Sequence, residues 1–161
     1  MKMVVSGLDG TIAKIELSQS RYDEKKDEFL KRLAEAGAER ARVEFNDNWT
    51  SRISNDSPVT VEVIQSENGF DIVASGEQVA FIEFGAGVFY NGAESYKGTR
   101  PPEVKGIGEY GQGKGKNDAW GYYDANGKLV ITRGNPPANA MYYASEEIRR
   151  VLVRIAEEVF K

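Results

Sequence analysis

The side chains available for chemistry in this protein are carboxylates, lysines, tyrosines, serines and threonines. Its 161 residues include no cysteine and no histidine. That composition excludes a thiol nucleophile, a disulfide, a Cys/His zinc site and an imidazole general base. Any catalysis by this chain would therefore depend on carboxylates or on activated hydroxyl and amino groups.

Glu83 is the carboxylate whose neighbours best suit acid catalysis. It lies between Ile82 and Phe84, and apolar surroundings raise the pKa of a carboxyl towards the range of a general acid. A carboxylate-dependent hydrolase that uses Glu83 is therefore one hypothesis, although the sequence identifies no second carboxylate as its partner. We favour the alternative, a structural glutamate that pairs with an arginine or caps backbone amides.

Three glycine-containing segments resemble phosphate-handling motifs, but each lacks an essential part. Gly106–Gly111 has the spacing of a dinucleotide fingerprint, yet Pro101-Pro102 precedes it instead of a hydrophobic strand. Gly108–Gly115 approximates a phosphate loop, but its last glycine replaces the Ser or Thr that binds magnesium. Gly7–Ile12 resembles a phosphatase signature with glycine in place of the nucleophilic aspartate. We expect no catalytic, cofactor-binding or metal-binding residues.

Basic residues between Lys97 and Lys116, with tyrosines and a tryptophan nearby, indicate a second alternative: a weak nucleic-acid-binding module. Proteins that bind single strands combine cationic grooves with stacking aromatic rings. The whole chain, however, carries a formal net charge of −4 and has a pI of about 5.1. Nucleic acid is therefore not expected as a partner, except as DNA that passes near the loop.

Amphipathic segments near the two ends of the chain predict helices that position the rest. Residues 16–47 interleave charged and apolar side chains at helical spacing, with Ser18 or Ser20 as the N-cap. Residues 138–160 follow Pro136-Pro137 and carry one apolar face. That face comprises Met141, Ala144, Ile148, Val151 or Leu152, Ile155 and Val159.

Alternating apolar residues between the helices predict antiparallel strands. Val59–Val63 and Phe70–Ala74 flank a turn at Asn68-Gly69, and Val79–Phe84 predicts a third strand or a short turn of helix. Trp120–Tyr123 and Leu129–Thr132 predict a second hairpin.

The expected architecture is a single α+β domain over residues 1–161. It contains an antiparallel sheet of roughly four to five strands with both helices packed on it. Eleven of the 17 glycines lie within 85–127, which predicts a flexible glycine-rich insertion loop at 86–120. A structureless segment of this length in a small domain is typical of a loop that contacts a partner.

Charge is sorted along the chain. Residues 48–96 contain seven acids and one base, for a net charge of −6, whereas residues 97–133 contain seven bases and four acids, for a net charge of +3. Regions of opposite sign on one chain favour self-complementary association.

Two short motifs resemble one family when they are considered together. The first is Phe81–Gly87, in which the residues of interest are Glu83, Phe84, Gly85 and Gly87. The second is Thr132–Met141, with Arg133, Gly134, Pro136 and Pro137, and it opens the terminal helix. Together they resemble the neck and tail-completion (minor tail, head–tail joining) proteins of long-tailed bacteriophages and prophages.

The resemblance implies a non-enzymatic structural protein of the virion with an α+β fold and no cofactor. Its implied partners are copies of itself in a ring, with hexameric symmetry expected, the tail-tube or tail-terminator protein, and the head-closure or connector protein. Its implied location is the host bacterial cytoplasm during assembly and then the virion neck or tail. The sequence contains no run of about 18 apolar residues, so no membrane partner is expected.

The glycine-rich loop supplies the contacts between subunits that we expect from residue type, because aromatic residues and arginine dominate interfaces. The expected contact set is Phe89, Tyr90, Lys97, Arg100, Lys105, Lys114 and Lys116.

Overall fold

The computed structural model describes residues 8–48, 58–89, 96–99, 101, 119–124 and 126–161, and over these ranges the protein is α+β. The elements are, in chain order, α1 (Leu8–Asn48), β1 (Thr60–Ser66), β2 (Gly69–Ser75), α2 (Val79–Phe84), a 3₁₀ turn (Gly87–Phe89), β3 (Trp120–Tyr123), β4 (Leu129–Thr132) and α3 (Ala140–Phe160). No helix in the described ranges is long and apolar enough to cross a membrane.

Helices α1 and α3 pack antiparallel to each other. Arg32 of α1 forms an ion pair with Glu158 near the end of α3, and the ring of Tyr22 lies 6.0 Å from that of Phe160. Gly37 permits the close approach of the helices further along, since a Cβ at this position would lie 2.8 Å from Ile148 Cδ1. Residues 8–21 of α1 extend past the C-terminal end of α3.

Two hydrophobic clusters stabilise this arrangement. The larger joins α1 to β1, α2 and the start of α3, and comprises Ala38, Ala41, Phe45, Val61, Ile82, Ala138, Ala140 and Ala144. The smaller lies between the helices and comprises Leu33, Val151, Ile155 and Val159. The small residues of the first cluster let the backbones approach closely, and Phe45 fills the space between them.

The first hairpin has the alternation that the sequence predicts. Val61 and Val63 pair with Ala74 and Ile72, and their side chains face the core of the protein. The turn is at Glu67-Asn68, one residue earlier than expected, and Gly69 begins β2 with a φ of +144°. The hairpin packs on α1, where Arg42 Nε donates a hydrogen bond to the Val61 carbonyl at 3.1 Å.

The prediction of one sheet with four to five strands is wrong for the described residues. They form two separate two-stranded antiparallel sheets, β1–β2 and β3–β4. Val79–Phe84, which the sequence leaves open between strand and helix, is helix α2. This short apolar run has no distinctive period, so its sequence alone does not decide between a strand and a helix. In the helix that it forms, the adjacent residues Ile82 and Glu83 are both buried.

The helix boundaries also differ from the prediction. Helix α1 begins at Leu8, so Ser18 and Ser20 are exposed residues within it and not caps. No proline interrupts the chain between Leu8 and Asn48, and a capping-type side chain that points to solvent costs a helix little. Helix α3 begins at Ala140 because Asn139 adopts a left-handed conformation with a φ of +58°.

Candidate functional site

The two sequence motifs meet in space, although about fifty residues separate them along the chain. We call the contact between residues 81–88 and 132–141 the motif junction. The Ala86 amide donates a hydrogen bond to the Asn135 carbonyl, and the Val88 amide donates one to the Arg133 carbonyl, both at 2.9 Å. The two segments thus run antiparallel, and the second continues directly from strand β4.

A second group of hydrogen bonds joins the end of α2 to the start of α3. The Ala138 amide donates to the Ile82 carbonyl at 2.8 Å, and the Asn139 amide donates to the Glu83 carbonyl at 3.3 Å. The Asn135 side-chain amide donates to the Phe81 carbonyl at 2.8 Å. The last carbonyls of α2, which have no partner within that helix, are therefore satisfied by the second motif.

Two motif glycines are required by this close contact. Gly134 has a φ of +87°, and a Cβ there would collide with the Ala86 carbonyl. Gly85 has a φ of +76°, and a Cβ there would lie 2.8 Å from the backbone nitrogen of Pro137. Each glycine of one motif thus lies against the backbone of the other, which gives both a structural role.

Glu83 lies at the centre of the junction and is only 2% exposed. Its Oε2 accepts a hydrogen bond from the Met141 amide at 2.9 Å, which caps the N-terminus of α3. Burial raises the pKa of Glu83, while this amide bond and a hydrogen bond with the Tyr96 side chain oppose the rise. The predicted rise in pKa is confirmed, as is the prediction that the carboxylate caps backbone amides.

The position of Glu83 disfavours the hydrolase hypothesis. Its Oε1 is buried and has no hydrogen-bond partner among the described residues. An open cleft of about 300 Å³ lies elsewhere in the described structure, between α1 and the turn of the first hairpin. It is lined by Lys26, Asp27, Leu30 and residues 65–70. A substrate in that cleft would not reach the buried carboxyl.

Asn139 is a central residue of the junction that sequence reasoning missed. It is buried, its Oδ1 accepts a hydrogen bond from the Lys97 amide at 2.7 Å, and its Nδ2 donates to the Pro137 carbonyl at 2.9 Å. Asparagine tolerates the left-handed backbone better than most residues. The sequence feature that could have identified it is the position of this asparagine, between Pro136-Pro137 and the start of α3.

Lys97 is the member of the expected contact set whose side chain the structure describes. It is exposed, but its ammonium group lies 4.6 Å from the centre of the Tyr143 ring and bonds to the Tyr143 hydroxyl, which raises the pKa of Lys97. The structure describes the backbone of Phe89 as the end of the 3₁₀ turn. The remaining members lie outside the described residues: Tyr90, Arg100, Lys105, Lys114 and Lys116.

The described part of the glycine-rich segment also bears on nucleic-acid binding. Tyr96, one of the rings considered for stacking, packs edge-on against Phe84 at 4.8 Å between centroids. Its role in the described structure is therefore to hold residues 96–99 against the first motif. The two phosphate-like glycine motifs at 106–115 lie outside the described residues.

Comparison with protein-family models finds no matching family, and comparisons with curated proteins and with solved structures find no significant match. Within the described ranges, no cluster of three or more acidic, cysteine or histidine side chains is arranged to hold a metal ion. The candidate site is therefore characterised by its own geometry: a buried, hydrogen-bonded junction.

Proposed function

We propose that this protein is a structural component of the head–tail junction of a long-tailed phage or prophage, where it acts through ring assembly and protein–protein contacts. The observation that carries the proposal is the motif junction. The two segments on which the family resemblance rests form one buried unit through backbone hydrogen bonds.

The junction also explains how the chain would present its glycine-rich segment to a partner. The segment leaves the junction after Phe89, next to the hydrogen bond between Val88 and Arg133. It contacts the junction again at Tyr96 and Lys97, and Trp120 then pairs with Thr132 in the second hairpin. The described residues on either side of 102–118 are thus attached at or near the junction, which supports a role for this part of the chain in contacts with a partner.

The proposed partners follow from this role. They are further copies of the chain in a ring of sixfold symmetry, the tail-tube or tail-terminator protein on one side, and the head-closure or connector protein on the other. Assembly takes place in the cytoplasm of the bacterial host, and the finished ring belongs to the neck or tail of the virion.

The test is to replace residues 102–118 by a short glycine–serine linker in the phage that encodes the protein. Tyr96 and Lys97 are retained, because they bond to Glu83 and Asn139. The purified variant should keep the circular dichroism spectrum and melting temperature of the parent. Electron microscopy of lysates should show filled heads and separate tails, and the parental protein supplied in trans should restore joining.

Normal yields of infectious particles from this variant would contradict the proposal. A variant that fails to fold is detected by its melting curve before the phage experiment. A milder variant then tests the same segment, with Lys105, Lys114 and Lys116 replaced by glutamine.

A further inference from the structure

The β3–β4 hairpin has an apolar face that nothing covers within the described residues. Tyr123, Leu129 and Ile131 are exposed on this face, and neither strand packs extensively on any other described helix or strand. Gly121 lies between them, and the side chains of Leu129 and Ile131 approach its backbone. A two-stranded hairpin is only marginally stable by itself in water, so this face favours a partner surface.

The β1–β2 hairpin has an outer face with matching properties. Ile64 and Val73 are exposed there, and their cross-strand neighbours are Asp71 and Glu62. The two apolar side chains therefore form a diagonal pair flanked by two carboxylates. The opposite face of the same hairpin is the one that packs on α1 and the core.

The charges of the two faces are complementary. Residues 58–89 contain no lysine or arginine, whereas the exposed Arg133 continues the alternation of Leu129 and Ile131 at the end of β4. The acid in the second hairpin, Asp124, accepts hydrogen bonds from the amides of its own turn. The second hairpin therefore presents apolar and basic groups, and the first presents apolar and acidic groups.

We propose that the outer face of the β3–β4 hairpin of one copy packs on the outer face of the β1–β2 hairpin of the next copy. Leu129 and Ile131 would cover Ile64 and Val73, with Arg133 near the carboxylates. The two faces differ, so the contact is heterologous, and its repetition produces a closed ring or a filament. This inference rests on the proposed assembly function and names the surfaces that the copies use.

The test uses one aspartate in each face of the full chain. Ile64→Asp blocks the first face, and Ile131→Asp blocks the second. Val153→Asp is the matched control, because Val153 is 65% exposed on α3 and Ile131 is 64% exposed. Analytical ultracentrifugation should show concentration-dependent association of the parent and of the control at concentrations up to about 1 mM. Each face variant alone should be monomeric.

Mixing the two face variants gives the decisive result. Ile64→Asp keeps an intact second hairpin and Ile131→Asp keeps an intact first hairpin, so the mixture should form heterodimers that grow no further. Cross-linking can identify the contact, because the chain has no native cysteine. Val73→Cys mixed with Ile131→Cys should give a disulfide dimer under mild oxidation, whereas Val73→Cys mixed with Val153→Cys should not.

Two results would overturn the inference: a parent that stays monomeric up to about 1 mM, or face variants that associate as the parent does. In the second case the copies use other surfaces, and the proposed assembly function stands. A failure of the assembly function appears separately, as normal head–tail joining after replacement of residues 102–118.

Discussion

The α1–α3 pair and the motif junction hold the protein together in different ways. The helix pair is regular, with an apolar seam and ion pairs at its exposed margin such as Arg32–Glu158. The junction is irregular, with a buried carboxyl, a left-handed asparagine and three glycines whose φ angles are positive. Contacts between the helices involve flexible side chains, whereas contacts in the junction involve backbone atoms and fixed polar groups.

The two kinds of contact differ in their tolerance of substitution. A side chain at the margin of the helix pair can move or exchange its partner for water at little cost. Gly85, Gly134 and Asn139 have no such freedom, because their neighbours in the junction are backbone carbonyl or amide groups of other segments. Substitutions should therefore have large effects at the buried positions of the junction and small effects at the exposed margin of the helix pair.

Gly134→Ala should have the largest effect. We expect it to lower the free energy of unfolding by at least about 3 kcal/mol, because the new Cβ meets the Ala86 carbonyl and requires an unfavourable φ. Urea denaturation followed by circular dichroism measures the change. Gly127→Ala is the control, since its φ is +73° and nothing lies near its Cβ position. That control should cost only about 1 kcal/mol, and equal losses for both variants would contradict the close contact.

Asn139 should come next. Asn139→Gly keeps access to the left-handed backbone but removes the bonds to Lys97 and Pro137, so we expect a loss of roughly 1–2 kcal/mol. Asn139→Ala loses the same bonds and also strains the backbone, which adds about 1 kcal/mol. The order of the two variants in urea denaturation is the critical result. An alanine variant at least as stable as the glycine variant would show that the positive φ contributes nothing.

Glu83→Gln should have an effect that depends on pH. The native pKa of Glu83 lies above its ordinary value of 4.5, because burial outweighs its hydrogen bonds. The native state then binds the proton more tightly than the unfolded chain, so stability from this group is present below pH 4.5 and is lost as the pH rises through the native pKa. Glutamine cannot lose this proton, and the stability of the variant relative to the parent should increase over that range.

Urea titrations at a series of pH values test this prediction. Glu62→Gln controls for the change in net charge at an exposed position. A constant difference between Glu83→Gln and the parent across the range would argue against a raised native pKa.

Arg32→Ala should have the smallest effect of the four. Arg32 bonds to Glu158 at the exposed margin of the helix pair, and this bond contributes most to lowering the pKa of Glu158. The contribution of this ion pair to the free energy of unfolding should be present at neutral pH and lost as the pH falls through the lowered pKa of Glu158. Salt at about 1 M should remove most of it, since the screening length is then only about 3 Å. If Arg32→Ala lowered the free energy of unfolding by more than Gly127→Ala does, the proposed difference between the helix pair and the motif junction would be wrong.

The parts of the fold that depend on local pattern could be predicted from the sequence. The apolar face of α3 is buried at Ala144, Val151, Ile155 and Val159 as expected, and the structure selects Val151 over the exposed Leu152. Both hairpins follow from alternation and turn residues. Periods of 3.6 and 2 residues depend only on positions that are close in the sequence, so they can be recognised in a single sequence.

The parts that depend on distant contacts could not be predicted. The bond between the Met141 amide and Glu83 spans 58 positions, and the apolar run at Val79–Phe84 fits a strand or a helix until its neighbours are known. The number of strands in one sheet likewise depends on which hairpins meet. For the site, the motifs marked Glu83 and the glycines, but the left-handed Asn139 follows from the path of the chain between two elements.

The extension of α1 past α3 has a mechanical consequence. Residues 8–21 form a rod of about 20 Å at the helical rise per residue, and its described side chains, at Lys14 and Glu16–Arg21, are exposed. Because this part of α1 extends about 20 Å from the helix pair, rotating the subunit by about 10° about that point displaces the Leu8 end of the helix by roughly 3–4 Å. A cysteine at Ser18 would be the only thiol in the chain. Spin labels at this position in two copies of the protein would report reorientation of the subunits as a change in the distance between the labels.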